Sequence, residues 1–254
     1  MSALFQAAWF LLIRRWVIRI AIIFFTSTLL VVLLFKWVNP PTTLTMISQR
    51  LDRGEALKRE WVPIESISKN MQLAVICGED GNFTEHHGFD FAAIKAAMKY
   101  NERGGKVRGA STISQQTAKN VFLWNGRSYV RKGLEAYFTV LIEFIWGKKR
   151  IMEVYLNVAE TGPGIFGAEA AAQEYYQKSA AALSKNQAAG IGSIFPAPRR
   201  WKIGGYPAAG RQKLILRARI EEAAHFLTSN NLLSKKKRPF TFAKGHRNVS
   251  GNPV

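Results

Sequence analysis

Residues 20–35 run without a single charge, and nothing else in the chain constrains its fold as much. Extended over Trp16, Val17 and Ile18 on one side and Trp37 and Val38 on the other, the run predicts a helix over 16–38. That is long enough to cross roughly 30 Å of hydrocarbon, which takes about 20 residues. Arg19 and Lys36 then snorkel toward opposite interfaces, with Trp16 and Trp37 as interfacial anchors. Arg14, Arg15 and Arg19 precede the span and no acid occurs before Asp52. The positive-inside rule therefore predicts a cytoplasmic segment 1–15, a single-pass type II anchor in the cytoplasmic (inner) membrane, and export of the chain beyond residue 38. Lys36-Trp37-Val38-Asn39-Pro40 contains no small-x-small cleavage site, which favours an anchor over a cleaved signal.

Charge is the second constraint. Across 254 residues the formal net charge is +19, and it is uneven: residues 1–174 carry a net +6 and residues 175–254 a net +13. Such an excess points to an anionic partner. An exported domain meets headgroups and envelope polymers before DNA, so no nucleic-acid partner is expected. The basic last third suits anionic headgroups, at about 1 kcal/mol per Lys or Arg close to the surface. Its plainer reading is a solvated face and a loose tail, with Lys235-Lys236-Lys237-Arg238 inside a mobile segment 234–254. The lone cysteine, Cys77, excludes an internal disulfide and reads as a small buried residue.

Residues 39–43, with Pro40 and Pro41, read as a helix stop and short linker. The globular domain is expected over 44–233. Apolar residues recur there at helical spacing: Ile67, Met71, Ala74 and Val75; Phe91, Ile94, Ala97 and Met98; Leu134, Phe138, Leu141 and Ile145. No convincing period-2 alternation appears, so the domain is read as all-α. Pro196, Pro198 and Pro207 precede a last amphipathic helix expected over 209–227.

Three segments carry candidate chemistry. Glu79-Asp80 closes an apolar helical run, where partial desolvation would tune a carboxylate toward general-base work; two polar residues at a helix end explain it equally well. In Gly109-Ala110-Ser111-Thr112-Ile113-Ser114-Gln115-Gln116-Thr117-Ala118-Lys119-Asn120, a helix capped near Ser111 places Ser111, Gln115 and Lys119 on one face with Thr112, Gln116 and Asn120 beside them. That face suits a polyhydroxylated or phosphorylated ligand. The third, Arg127-Ser128-Tyr129-Val130-Arg131-Lys132-Gly133-Leu134-Glu135, is either a surface ion-pair cluster or a phosphate clamp. His86-His87 lacks further ligands near in sequence and is expected to order the loop after Asp80, not to hold metal.

Taken in order, Glu79-Asp80-x-x-Phe83-x-x-His86-x-Gly88, the Gly109 to Asn120 segment, Arg131-Lys132-x-x-Glu135 and Lys148-x-x-Ile151-x-Glu153-x-Tyr155-Leu156-Asn157 resemble the motifs of family 51 glycosyltransferases, the peptidoglycan polymerases. The resemblance implies a lysozyme-like domain behind one membrane helix, acting on lipid II and the growing glycan strand. It implies Glu79 as general base and Glu135 as second carboxylate. Lys119, Arg127, Arg131 and Lys132 would meet pyrophosphate charge, and Asp80, Phe83, His86, Ser111, Thr112, Gln115, Gln116 and Asn120 would form the substrate site. No cofactor is required by it, although a divalent cation (Mg or Mn) at the pyrophosphate is compatible. Division or cell-wall synthesis proteins are candidate partners. Two departures stand out: Cys77-Gly78 before Glu79, which would loosen the helix end, and glycines in 188–198, which put the packing of that helix in doubt. Without a Lys-Thr-Gly motif, no transpeptidase activity is expected. A lytic transglycosylase or muramidase and a non-enzymatic membrane scaffold are the competing readings.

Overall fold

The computed structural model describes residues 3–54, 56–104, 109–126 and 128–217. Its first element, α1 (Ala3–Trp37), is one continuous helix of 35 residues, about 52 Å long at 1.5 Å per residue. Its portion Trp9–Trp37 is long and apolar enough to cross a membrane. The helix begins well before residue 16, because the arginines there mark an interface and do not break a helix; no Gly or Pro interrupts it.

After the linker come α2 (Leu44–Arg53), β1 (Lys58–Arg59), a 3-10 turn Ile64–Ser66, α3 (Lys69–Glu79), α4 (Phe91–Asn101), α5 (Ile113–Phe122), α6 (Tyr129–Ile145) and α7 (Gly147–Val158). The remainder comprises β2 (Glu160–Gly162), β3 (Ile165–Phe166), α8 (Ala168–Tyr176), a 3-10 turn Ala180–Ala182, α9 (Lys185–Ile194) and α10 (Ala208–Arg217). The molecule is mostly helical, as expected, and carries besides a small sheet of order β1-β3-β2. β1 runs parallel to β3, with Lys58 opposite Ile165, and β2 runs antiparallel to it. Strands of two or three residues are too short to leave an alternating pattern in sequence.

The core gathers Met71, Ala74 and Val75 of α3, Ile113 and Ala118 of α5, Ile142 of α6, and Ile151 and Tyr155 of α7. The glycines of the 188–198 stretch tighten this packing instead of loosening it. A Cβ on Gly192 would stand 3.3 Å from both the Cβ and the carbonyl oxygen of Ala74, so α9 and α3 approach at backbone range. The spacing predicts α4, as found, but it packs lightly: Ala97 is buried, whereas Phe91 and Met98 are exposed. The last helix begins at Ala208, and its expected continuation to 227, like the tail 234–254, lies outside the described residues.

The C-terminal half of α1 packs on the domain. Phe24 and Phe25 meet Tyr137 at 5.9 and 5.6 Å, Thr28 hydrogen-bonds its hydroxyl at 2.8 Å, and the Trp146 indole donates to the Val32 carbonyl at 2.7 Å. α6 and the start of α7 therefore lie against the apolar length of α1.

Candidate active site

Glu79 and Asp80 are neighbours that part company. α3 runs unbroken through Gly78 to Glu79, and the backbone leaves the helix at Asp80 (φ −158°, ψ 78°), turning the second carboxylate inward. Asp80 is buried, accepts the Ile113 N–H at 2.9 Å, and lies 2.9 and 3.0 Å from Nε2 of His86. Nδ1 of the same ring accepts from the Gly88 N–H at 3.1 Å, so the ring hydrogen is on Nε2 and points to Asp80. The loop is thereby tied to the first turn of α5, where a carboxylate is favoured by the helix dipole. Fully buried Phe83 packs edge-on to His86 beneath the Lys148 ammonium, 4.6 Å from its ring. Asp80, Phe83 and His86 brace the loop from within.

Glu79 is held from two sides. The Gln116 amide donates to Oε2 at 2.9 Å and the Arg211 guanidinium to Oε1 at 2.7 Å. Gln116 is itself oriented, because its Oε1 accepts from the Tyr155 hydroxyl at 3.1 Å. Burial, reinforced by the charge of Glu79, raises the Tyr155 hydroxyl well above its ordinary pKa, so it stays a donor. Arg211 also donates to the Gly78 carbonyl, stitching α10 to the end of α3.

α5 starts one residue later than expected. Thr112, not Ser111, is the cap: its hydroxyl accepts from the Gln115 N–H, Gln115 returns the bond to the Thr112 N–H, and the same hydroxyl donates to the Gly88 carbonyl at 2.6 Å. Both side chains are buried in that capping box; of the remaining face, Gln116 and Lys119 are half-buried and Asn120 is buried, with exposed Ser111 just outside the helix.

α6 packs across α5 and brings the basic cluster to the same place. Buried Glu135 accepts from Arg131 at 3.0 Å and from Lys132. Arg131 keeps a buried Nε with no hydrogen-bond partner. Lys119 sits between the two carboxylate sites. Burial lowers its pKa, Glu135 and Glu79 pull the other way, and Arg131 and Lys132 add to the lowering. Among the described residues it makes no hydrogen bond or ion pair. Arg127 lies outside them.

Both Glu135 oxygens being taken, a divalent ion there would compete with Arg131 and Lys132. Among the described residues no group of three His, Cys, Asp or Glu side chains is placed to hold a metal ion. The arrangement does place a positioned carboxylate and an uncommitted cation within electrostatic reach of each other, which is what transfer of a sugar from an anionic leaving group requires.

Comparison with known proteins decides the family. Residues 45–219 match the family described as Transglycosylase. The chain belongs to the transglycosylase family. Over 194 residues it is 51% identical to a protein of Pseudomonas syringae pv. syringae named biosynthetic peptidoglycan transglycosylase, covering 74% of this chain and 82% of that one. Proteins of the same name from Bdellovibrio bacteriovorus (50% over 212 residues; 80% and 84% covered) and Caulobacter vibrioides (49% over 206 residues; 80% and 90% covered) are similarly close.

In this transglycosylase, sequence reasoning missed Arg211 and the roles of Tyr155 and of the Glu143 to Lys148 pair. Lys148 donates to Glu143 at 2.6 Å, and Ser114 donates to the same Glu143 oxygen, locking α5 to α6 and α7. Lys148 and Tyr155 stand within a recognisable motif. Arg211 carries no such mark, being 132 residues from the carboxylate it grips.

Proposed function

We propose that this transglycosylase polymerises lipid II, a disaccharide-pentapeptide on undecaprenyl pyrophosphate, into linear β-1,4 glycan strands on the outer face of the cytoplasmic membrane. The observation that carries the reading is Lys119: a half-buried, desolvated cation, unpartnered among the described residues, within electrostatic reach of both Glu79 and Glu135. A glycan-cleaving enzyme needs an acid at its leaving oxygen and room for water. A transferase whose leaving group is a pyrophosphate needs fixed positive charge where negative charge develops.

In this reading Glu79 takes the proton from the 4-hydroxyl of the acceptor sugar. The freed oxygen attacks the anomeric carbon of the growing chain opposite the pyrophosphate, the bond to that pyrophosphate breaks, and configuration inverts from α to β. Gln116 and Arg211 hold the base in one orientation, so little reorganisation accompanies the step. Lys119, Arg131 and Lys132, joined by Arg127, meet the charge of the departing undecaprenyl pyrophosphate, and Glu135 keeps Arg131 and Lys132 in place. Ser111 and Asn120 contact sugar or phosphate oxygens, while Asp80, Phe83, His86, Thr112 and Gln115 act through the loop and helix they fix. No step calls for a metal ion.

The membrane side of the reading is supported by α1 and by the helix it touches. Tyr129, Val130, Val140 and Phe144 are exposed on α6. Apolar side chains bare on a helix alongside a membrane span suit acyl chains. Arginines on the N-terminal side of the span support an outward-facing domain.

The test is incubation of the detergent-solubilised protein with labelled lipid II, wild type beside Glu79→Gln, with products sized and digested with muramidase. Muramidase-sensitive polymer is expected from the wild type alone. Cleavage of preformed glycan without polymer, or equal activity of both proteins, overturns the reading.

A further inference from the structure

Asn39-Pro40-Pro41-Thr42-Thr43 joins the membrane helix to the catalytic domain, and its composition is that of a loose tether. Its surroundings are those of a fixed joint. Arg150 of α7 donates to the Phe35 carbonyl from Nε at 3.1 Å and from Nη2 at 2.9 Å, to the Val38 carbonyl at 3.0 Å, and to the Asn39 side chain at 2.9 Å. Two of the carbonyls that the end of α1 would otherwise leave to water are thus met by a cation, the sign that a helix C-terminus favours. Arg59 of β1 takes the next carbonyls along the chain, Pro40 at 2.8 Å and Pro41 at 2.7 Å, while its Nε donates to the Asn157 carbonyl at 3.3 Å. The Trp61 ring is in contact with both guanidinium groups, 5.1 Å from that of Arg59 and 5.5 Å from that of Arg150. Glu153 pairs with Arg150, and Asn157 exchanges two hydrogen bonds with Val62. One face of α7 therefore anchors both arginines. Below the joint, the contacts of Trp146 and Tyr137 with Val32 and Thr28 continue the grip along α1.

We infer that Arg59, Trp61 and Arg150 clamp the membrane helix to the domain and set the height and tilt of the cleft above the bilayer. They act as positioning residues for a substrate whose own lipid holds its pyrophosphate at the headgroup layer. The inference rests on the lipid II reading above. Five extended residues reach about 17 Å at up to ~3.5 Å each, so an unclamped linker would let the cleft wander by more than the size of a sugar. Catalytic geometry tolerates far less, since a misplacement of about 1 Å costs up to ~100-fold. The clamp matters where enzyme and substrate are held in one plane. In detergent, where each carries its own micelle, both are free to reorient.

The test compares the full chain with the R59A/R150A double variant, and with a Gly-Gly-Ser insertion between Pro41 and Thr42, which loosens the joint without removing an arginine. Each is assayed on lipid II in detergent and, at equal protein incorporated, in liposomes carrying lipid II. Both altered proteins are expected to polymerise within about 2-fold of wild type in detergent and to lose ~10- to 100-fold in liposomes. Full activity in liposomes overturns the clamp, as does an equal loss in both media, which marks general damage to the fold. A wild type inert in both media removes the lipid II reading itself, an outcome distinct from either.

Discussion

Replacing Lys119 by methionine is expected to make the protein more stable and less active at once. The lysine is charged in a half-buried, desolvated site, and the acid that favours its charge most, Glu135, is already matched by Arg131 and Lys132. Burial first, and those two cations after it, lower its pKa from the ordinary 10.5. The unfolded chain holds this proton more tightly than the folded one, so the charge disfavours folding; the effect is complete below the folded-state pKa and fades as pH climbs toward 10.5. Methionine keeps much of the unbranched stem and sheds the charge. A gain of ~0.5–2 kcal/mol is in the range that such removals give, and each 1 kcal/mol moves the Tm of a domain this size by about 2–4 °C. The catalytic effect runs the other way: loss of one preorganised group facing developing negative charge costs ~100- to 1,000-fold in rate. Lys132→Met should cost nearer ~10-fold, because its side chain is 49% exposed and water screens it. Initial rates of lipid II polymerisation and thermal melts at pH 7 and pH 10 decide the matter. The reasoning is refuted if Lys119→Met melts several degrees below wild type at pH 7, if its stability advantage does not shrink at pH 10, or if it keeps more than a tenth of the wild-type rate.

Tyr155→Phe removes the hydroxyl that orients Gln116 and leaves the Gln116 Oε1 without that donor. A fall in kcat of about 3- to 10-fold with KM unchanged is expected; an unchanged kcat would mean that Gln116 needs no orienting. Gly167→Ala tests the backbone: at φ +87° a side chain is strained, and a Cβ would meet the Asn157 carbonyl oxygen at 3.0 Å and its Cα at 3.1 Å. Backbone at both ends of the clash cannot swing aside, so chemical denaturation should show a loss of ~2–4 kcal/mol, and a loss under ~1 kcal/mol would show that the α7 to α8 junction yields.

Sequence and structure agree where periodicity is long and disagree where direction matters. The helical spacing of Met71, Ala74 and Val75 predicts α3 and puts Glu79 and Asp80 at its end, as found. What spacing cannot carry is that one φ/ψ change at Asp80 sends two adjacent carboxylates to different neighbours. The same holds on α5: a shift of one residue, from Ser111 to Thr112, turns Thr112 and Gln115 from ligand groups into a capping box. The strands are invisible because two residues make no pattern. Residues 39–43 read as a helix stop and linker; what composition does not carry is that arginines from β1 and α7 hold that linker. Arg211 lies beyond any local signal, since only the packing of α10 on α3 and α9 delivers it to Glu79.

Buried charge in this molecule falls into two kinds, and the difference says where a ligand belongs. Lys148 and Glu143 answer each other, and the Asp80 carboxylate is met by the His86 Nε2–H and the Ile113 N–H; burying such groups is tolerable because each charge has its partner or its hydrogen bonds. They fix loop and helices against one another and have nothing left to offer a substrate. Lys119 and the Arg131 Nε are different: the first is a desolvated cation with no partner among the described residues, the second a buried donor with none. Leaving such groups unmet costs stability, and an anion would complete them; the buried Arg211 Nε, on the guanidinium that grips Glu79, is a further donor without a hydrogen-bond partner. The net charge of +19 could not have located that place. It is the unmet charge, and not the total, that points to the place where the ends of α3, α5 and α6 bring Glu79, Lys119 and Arg131 together.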